Sequence, residues 1–161
     1  MIRSAFYGWK LKRLKKRKNI PGDDLVSSLK NIDSILILCS EKNTAIMTFY
    51  NSLQKIFPKV QINTWVYDEL NEKQRLGNHG VRKEAGEKLA EDHFGMIIDA
   101  APYVTREWFY FVSLLSADIL AGISKTDEYH IYNLLITFNT GKTSADGFRM
   151  VTDYLTKLVG H

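Results

Sequence analysis

The sequence contains a single cysteine, Cys39, among 161 residues. One thiol cannot form a disulfide within the chain, and it excludes metal sites built from several cysteines. Cys39 ends the apolar run SILILC (residues 34–39), where a cysteine usually acts as a small buried hydrophobic residue. The four histidines also lack the close spacing of metal ligands. We therefore predict no metal site.

Glycine is absent between Gly22 and Gly77. This absence excludes the glycine-rich turns that bind dinucleotides or phosphates between a first strand and the following helix. The later segment TFNTGKT (residues 137–143) also departs from the P-loop pattern, because Ile136 stands where that pattern requires glycine. We predict no bound cofactor.

The TFNTGKT segment has two remaining interpretations. In the simpler one, Gly141 makes a turn, and Thr143 caps the following helix together with Asp146. In the other, Gly141, Lys142 and Thr143 bind a single anion at the helix N-terminus.

Long hydrophobic runs are absent as well. The longest apolar stretch, residues 108–123, is interrupted by Ser113, Ser116 and Asp118 and is too short to cross a bilayer. The basic N-terminus is not followed by the apolar core of a secretory signal. With 45% hydrophobic and 25% charged residues, the chain has the composition of one soluble domain. We expect it in the cytoplasm, with a peripheral position at the inner membrane as the open alternative.

Positive charge is concentrated at the N-terminus. The first 18 residues contain eight cations and no acid, so the other 143 residues hold 14 cations against 18 acids, a net charge of −4. A mildly acidic body thus carries a basic arm, which we assign to residues 1–20. Its candidate contacts to an anionic partner are Lys10, Lys12, Arg13, Lys15, Lys16, Arg17 and Lys18.

The arm is expected to be helical, with two apolar clusters. Ile2, Ala5, Phe6 and Trp9 fall on one side of a helical wheel, and Tyr7, Leu11 and Leu14 fall on nearly the opposite side. Three interpretations remain open. The aromatic start packs on the domain while the basic end is solvated; the arm binds RNA or DNA, with aromatic rings stacking on bases; or the arm binds anionic lipid.

The body alternates between strand and helix patterns. SILILC is followed by a helix with apolar residues at helical spacing, a stop at Pro58, and the strand-like VQINTWV (residues 60–66). Further strands are predicted in residues 94–102, 117–124 and 132–138. Further helices are predicted from a cap at Asp23 or Asp24 to about Asn31, near residues 81–92, and in residues 105–116 and 143–159. This order predicts an α/β fold: a single three-layer Rossmann-like domain in residues 21–161, with about five mainly parallel strands, preceded by a basic N-terminal helix.

Ligands of such sheets lie beyond the carboxyl ends of the strands, where the strand order reverses. The first candidate crevice therefore lies between the loops that follow the first and third strands. Its polar candidates are Ser40, Glu41, Lys42, Asn43, Thr44, Asp99 and Arg106. Glu41 and Asp99 are a possible carboxylate pair for acid–base chemistry, although an aspartate that ends a buried strand often only caps a loop. We assign no catalytic residue.

Two resemblances bear on function. SILILC, VQINTWV, FGMIIDAAP and LLSADILAGIS resemble the N-terminal Rossmann-like domain of bacterial heptosyltransferases, which implies a glycosyltransferase-like fold. That family carries an aspartate in a glycine-containing loop after the first strand, where this chain has Ser40-Glu41-Lys42-Asn43. Nearly the whole chain also resembles a family of small uncharacterised bacterial α/β proteins, through its basic first helix, MIID, an LS-x-A-x-x-x-G segment and YNLLI.

Three functional hypotheses follow. The first is a non-catalytic binding module whose arm contacts nucleic acid or an anionic membrane surface. The second is a glycosyltransferase-like enzyme or remnant that binds a phosphorylated or sugar ligand in the crevice. The third is a homo-oligomeric, for example homodimeric, or accessory subunit that associates through the aromatic helix around Trp108.

Overall fold

A computed structural model of the chain describes residues 2–66, 88–102, 105–137 and 143–160, without the side chains of residues 2–4. Its helices and strands follow in the order α1 (Ile2–Lys12), α2 (Gly22–Asn31), β1 (Ser34–Cys39), α3 (Thr44–Ile56), β2 (Gln61–Val66), β3 (His93–Asp99), α4 (Arg106–Ser113), β4 (Ser116–Ile123), β5 (Leu134–Ile136) and α5 (Ser144–Val159). Residues 88–91 are also helical and residue 92 is not; residues 81–87 of the charged helix expected near residues 81–92 lie outside the described residues.

The described strands form one five-stranded sheet in the order β2-β1-β3-β4-β5, and every neighbouring pair is parallel. The order reverses between β1 and β3, as in doubly wound domains. Helices cover both faces of the sheet. The predicted α/β class and the three-layer Rossmann-like architecture are therefore confirmed.

One face of the sheet is covered by α2, α3 and α5. The inward side of β1, with Ile35 and Ile37, packs against Phe49 of α3 and Phe148 of α5 in one buried cluster. The rings of Phe49 and Phe148 stack with their centroids 4.8 Å apart. This face is the larger of the two hydrophobic cores.

The other face is covered by α4 and, outside it, by α1. Leu36 and Leu38 of β1 point to this side, where they join a cluster that includes Trp108 and Phe111 of α4. The apolar run of β1 is thus buried on both faces, as expected for a central strand of a parallel sheet.

The last strand, β5, is much shorter than residues 132–138, which the sequence pattern predicts. The side chain of Asn133 accepts a hydrogen bond from the backbone N–H of Leu120 at 2.7 Å and donates one to the backbone oxygen of Asp118 at 2.9 Å. The backbone N–H of Tyr132 donates to the carboxylate of Asp127. The backbone N–H of Asn133 still donates to the backbone oxygen of Leu120 at 3.1 Å, so side chains take over only part of the backbone bonding at the start of the predicted strand.

Helix α2 begins differently from the expectation that Asp23 or Asp24 caps it. Its N-cap is Pro21, which makes no side-chain capping hydrogen bond, and both aspartates lie in the first turn. There they still interact favourably with the positive end of the helix dipole.

Among the described residues, no helix is long and apolar enough to span a bilayer.

Candidate functional site: a basic groove and the carboxyl edge of the sheet

Arg17 fixes the basic segment of the arm, residues 12–18, to the domain. Its guanidinium donates hydrogen bonds to the backbone oxygens of Leu115, at 3.0 Å, and Ala117, at 3.5 Å. The backbone N–H of Arg17 donates to the backbone oxygen of His130 at 2.8 Å. Burial lowers the pKa of the Arg17 guanidinium from its ordinary value. Arg17 thus anchors the arm across the amino ends of β4 and β5.

A groove of about 660 Å³ lies along this segment. Lys15, Lys16 and Lys18 are exposed at its rim. The full lining consists of Leu14, Lys15, Lys16, Arg17, Lys18, Ser113, Ile131 and Asn133. The lining contains four cations and no carboxylate, so the groove is suited to an anionic ligand.

Helix α1 is also fixed to the domain. Tyr7 and Leu11 are buried against α4, and the rings of Tyr7 and Tyr110 lie 5.4 Å apart. The ammonium of Lys10 lies 3.4 Å from the Tyr110 hydroxyl and 5.1 Å from the centroid of its ring. The side that packs on the domain is therefore the Tyr7–Leu11 side, whereas Phe6 and Trp9 are among the exposed hydrophobic residues.

The seven predicted arm contacts divide into two groups. Lys10 and Arg17 are used to hold the arm on the domain. The exposed group comprises Lys12, Arg13, Lys15, Lys16 and Lys18. Within the part of the chain that the structure describes, none of these five is in an ion pair.

At the carboxyl edge of the sheet, three of the seven predicted crevice residues lie around one small cavity. Ser40, Glu41 and Asn43 line a space of about 80 Å³ together with Ala100 and Pro102, which follow β3. The cavity lies at the switch point between β1 and β3, where the doubly wound order places ligands.

Asn43 is primarily a structural residue of this edge. Its side-chain oxygen accepts a hydrogen bond from the backbone N–H of Ile46 at 3.0 Å, so it caps α3. Its side-chain nitrogen donates to Glu41 at 3.0 Å. Lys42 is exposed beside this cavity, and Thr44 lines a separate groove of about 580 Å³ between α3 and α5.

Asp99 faces away from this cavity, towards α4, and is completely buried. Its Oδ2 accepts hydrogen bonds from the indole Nε1 of Trp108, at 2.9 Å, and from the hydroxyl of Tyr132. Its Oδ1 accepts one from the backbone N–H of Ala101 at 3.2 Å and lies 3.6 Å from the ammonium of Lys125. We refer to Asp99, Trp108, Lys125 and Tyr132 as the Asp99 cluster.

Lys125 reaches the cluster from the end of β4. Ser124, the residue before it, has a φ of 51°, in the left-handed region that few residues other than glycine adopt. The Lys125 ammonium also donates to the backbone oxygen of Ala101. Burial lowers the pKa of Lys125, with Asp99 opposing the shift, and burial raises the pKa of Tyr132 well above its usual value.

The cluster was not foreseen beyond Asp99 itself. Its geometry gives Asp99 the role of a buried structural anion, and the carboxylate does not pair with the exposed Glu41.

Arg106 also lies away from the small cavity. Its Cδ would be 3.3 Å from a Cβ built on Gly8, so the Arg106 side chain packs against α1. The seven predicted crevice residues are therefore distributed over both faces of the sheet.

The candidate anion site at the N-terminus of α5 is described only at Thr143, because Gly141 and Lys142 lie outside the described residues. Thr143 caps α5 and forms a capping box with Asp146, as the simpler interpretation predicts. The Asp146 carboxylate accepts from the Thr143 hydroxyl at 2.8 Å and from its backbone N–H at 3.2 Å. This first turn thus already has an anion of its own.

His93 makes contacts that sequence reasoning missed. Its ring nitrogens lie 2.7 Å from the hydroxyl of Ser116 and 3.1 Å from the carboxylate of Asp118, at the amino ends of β3 and β4. The side chains of His93 and Asp118 are more than half exposed. Among the described residues, no group of three or more histidines, cysteines and acids is placed to hold a metal ion.

The aromatic helix α4 is buried within the chain itself. Trp108 and Phe111 are each 1% exposed, and α1 packs across the outside of the helix. An oligomer interface formed by Trp108 would therefore require α1 to move away.

Comparison with known proteins adds no functional assignment. No protein-family model and no curated protein matches this chain.

Proposed function

We propose that this protein is a binding module whose basic segment, residues 12–18, holds an anionic partner, while the α/β body serves as a scaffold. The observation that carries the proposal is the placement of Lys15, Lys16 and Lys18 along one groove of about 660 Å³. Arg17 holds their backbone in place by three hydrogen bonds. A fixed backbone reduces the entropy that the segment would lose on binding.

The charge distribution favours this segment as the contact. The body carries a net charge of −4 and repels anions, whereas the first 18 residues carry +8. A partner with many negative charges would therefore approach from the side of the arm. The proposed setting is the cytoplasm, where nucleic acids and the anionic inner face of the membrane are both available.

Charge reversal in the groove tests the proposal. The variant Lys15→Glu/Lys16→Glu/Lys18→Glu is compared with Lys30→Glu/Lys55→Glu/Lys157→Glu, which makes the same charge change at exposed positions of α2, α3 and α5. Each protein is immobilised and used to capture nucleic acid and lipid from a lysate at low and high salt. We expect capture by the wild type and the control, steep loss with salt, and none by the groove variant.

Two results would contradict the proposal. One is equal capture by the groove variant and the control, which would show that overall charge alone decides binding. The other is capture by the wild type that does not weaken with salt, because contacts between exposed charges are screened by salt.

A second candidate is the binding of a phosphorylated or sugar ligand at the carboxyl edge of the sheet. The cavity beside Ser40 and Glu41 at the switch point favours it, as does the resemblance of this part of the chain to heptosyltransferases. The test is a thermal-shift screen of nucleotide sugars and inorganic phosphate, with Lys42→Glu as the site variant and Lys55→Glu as its control. A ligand that stabilises the wild type and the control but not Lys42→Glu would support this candidate.

A further inference from the structure

One side of α1 carries two large aromatic side chains that the domain does not cover. Phe6 is 47% exposed and Trp9 is 51% exposed, while Tyr7 and Leu11 on the other side of the helix are buried. The rings of Phe6 and Trp9 stack with centroids 6.5 Å apart and an angle of 26° between their planes. The helix therefore presents an aromatic pair next to the basic segment.

Cations surround this aromatic pair. The guanidinium of Arg13 lies 4.1 Å from the centroid of the Trp9 ring, and the ammonium of Lys10 lies 4.8 Å from that of Phe6. Such cation–π contacts hold the charges beside the rings. An apolar centre with a cationic border is the arrangement by which helices lie in the interface of an anionic bilayer.

We propose that the anionic partner is a lipid bilayer surface, with Phe6 and Trp9 entering the headgroup region while the exposed cations contact lipid phosphates. This inference rests on the proposed function and specifies its partner. Tryptophan favours the membrane–water interface because its ring is largely apolar but carries one N–H donor. Arg13 is positioned to remain at the level of the phosphates while Trp9 inserts.

The geometry favours lipid over nucleic acid. A base that stacks on Trp9 needs an open ring face, but Arg13 covers one face and the Phe6 ring is stacked beside it. Insertion into headgroups needs no such rearrangement. Each cation near an anionic surface strengthens binding about five-fold, so the exposed cations and the aromatic pair act together.

Vesicle sedimentation with the full chain tests the proposal. Vesicles contain either phosphatidylcholine alone or equal amounts of phosphatidylcholine and phosphatidylglycerol. The variant Phe6→Ser/Trp9→Ser is compared with Met47→Ser/Tyr154→Ser, which removes two exposed hydrophobic residues from α3 and α5 on the opposite face. We expect the wild type and the control to bind the anionic vesicles, and the aromatic variant to bind about 10-fold more weakly.

Fluorescence quenching shows whether Trp9 itself enters the bilayer and does not depend on a destabilising variant. Anionic vesicles that contain bromine-labelled phosphatidylcholine should quench part of the emission of the wild type. Trp9→Phe retains Trp65 and Trp108 and should lose this quenching. Equal quenching in both proteins would overturn the insertion of Trp9.

The results separate this inference from the function on which it rests. Binding to a single-stranded oligonucleotide, but not to anionic vesicles, would overturn the inference and leave the proposed function standing. The same holds if the aromatic variant binds vesicles as tightly as the wild type, while Lys15→Glu/Lys16→Glu/Lys18→Glu does not bind. Failure of the wild type to bind either vesicles or oligonucleotide would overturn both.

Discussion

The indole of Trp108 and the carboxylate of Asp99 are joined by a hydrogen bond of 2.9 Å between Nε1 and Oδ2, with both side chains buried. This bond links the end of β3 to the helix that leads to β4. The Lys125 ammonium at 3.6 Å and the Tyr132 hydroxyl complete the environment of the carboxylate. A charge in this position is costly to desolvate and depends on all of its partners.

Asp99→Asn should lower the free energy of unfolding by about 3–5 kcal/mol, because it leaves the Lys125 ammonium buried without its counter-ion. Urea denaturation measures the change. Asp118→Asn, at a carboxylate that is 65% exposed, is the control and should cost less than about 1 kcal/mol. Adding Lys125→Met to Asp99→Asn should restore part of the loss. If Asp99→Asn were as stable as the control, the carboxylate would not be the centre of the cluster.

Tyr132→Phe should change how stability depends on alkaline pH. Burial raises the pKa of the Tyr132 hydroxyl above its usual value near 10, so the folded protein keeps this proton at a pH where the unfolded chain releases it. The contribution of Tyr132 is therefore fully present below pH 10 and decreases as the pH rises above it.

Denaturation of the two proteins at a series of pH values tests this prediction. The stability difference between wild type and Tyr132→Phe should be constant below about pH 9 and should shrink above pH 10. The other ionisable groups, including Lys125, are present in both proteins and cancel to first order in the difference. A difference that does not shrink above pH 10 would contradict a raised pKa.

Gly122→Ala should destabilise the fold by about 1–3 kcal/mol through overpacking. A Cβ built on Gly122 would lie 2.9 Å from Cγ of Lys125 and 3.1 Å from two ring carbons of Tyr132, so both side chains would have to move. Gly22→Ala is the matched control, because its Cβ would meet no atom within 4 Å. Thermal denaturation of Gly122→Ala and Gly22→Ala measures the difference in stability. Equal melting temperatures would show that Lys125 and Tyr132 can move aside without destabilising the fold.

Arg17→Ala should release the basic segment from the domain. Of the Arg17 hydrogen bonds to described residues, the substitution removes those to Leu115 and Ala117 and leaves the backbone one to His130. Trypsin should then cleave after Lys15 and Lys16 about 10-fold faster, because cleavage requires local opening. Lys18→Ala removes a neighbouring exposed cation and should leave the rate unchanged. Equal rates in the two variants would mean that Arg17 does not hold the segment.

The sequence pattern predicts the sheet well where burial is extreme. The bounds of β1 agree with residues 34–39, because a fully apolar run of six residues has few other stable environments. It fails at β5, where Asn133 satisfies backbone groups that a ladder would otherwise satisfy. Nothing in the local pattern of YNLLITF (residues 132–138) distinguishes a seven-residue strand from the three-residue strand that forms.

The candidate site is less predictable because its contacts join distant residues. Asp99 is 9 residues from Trp108 and 33 from Tyr132. An acid at the end of an apolar strand is a usable signal, but its partners are set by the alignment of β3, β4 and β5 in the sheet, which the local pattern does not contain. The role of Arg17 is equally hidden in the sequence, where it is one cation among several. Its partial burial in the fold distinguishes it from the exposed Lys16 and Lys18.

The position of Cys39 allows its reactivity to report local opening of the fold without a label. The thiol is 1% exposed at the end of β1, burial raises its pKa, and it lies beside the small cavity at the switch point. Because the chain contains no second cysteine, the rate of alkylation under native conditions reports how often this corner of the sheet opens. A molecule that occupied the crevice would slow that reaction without any engineered label.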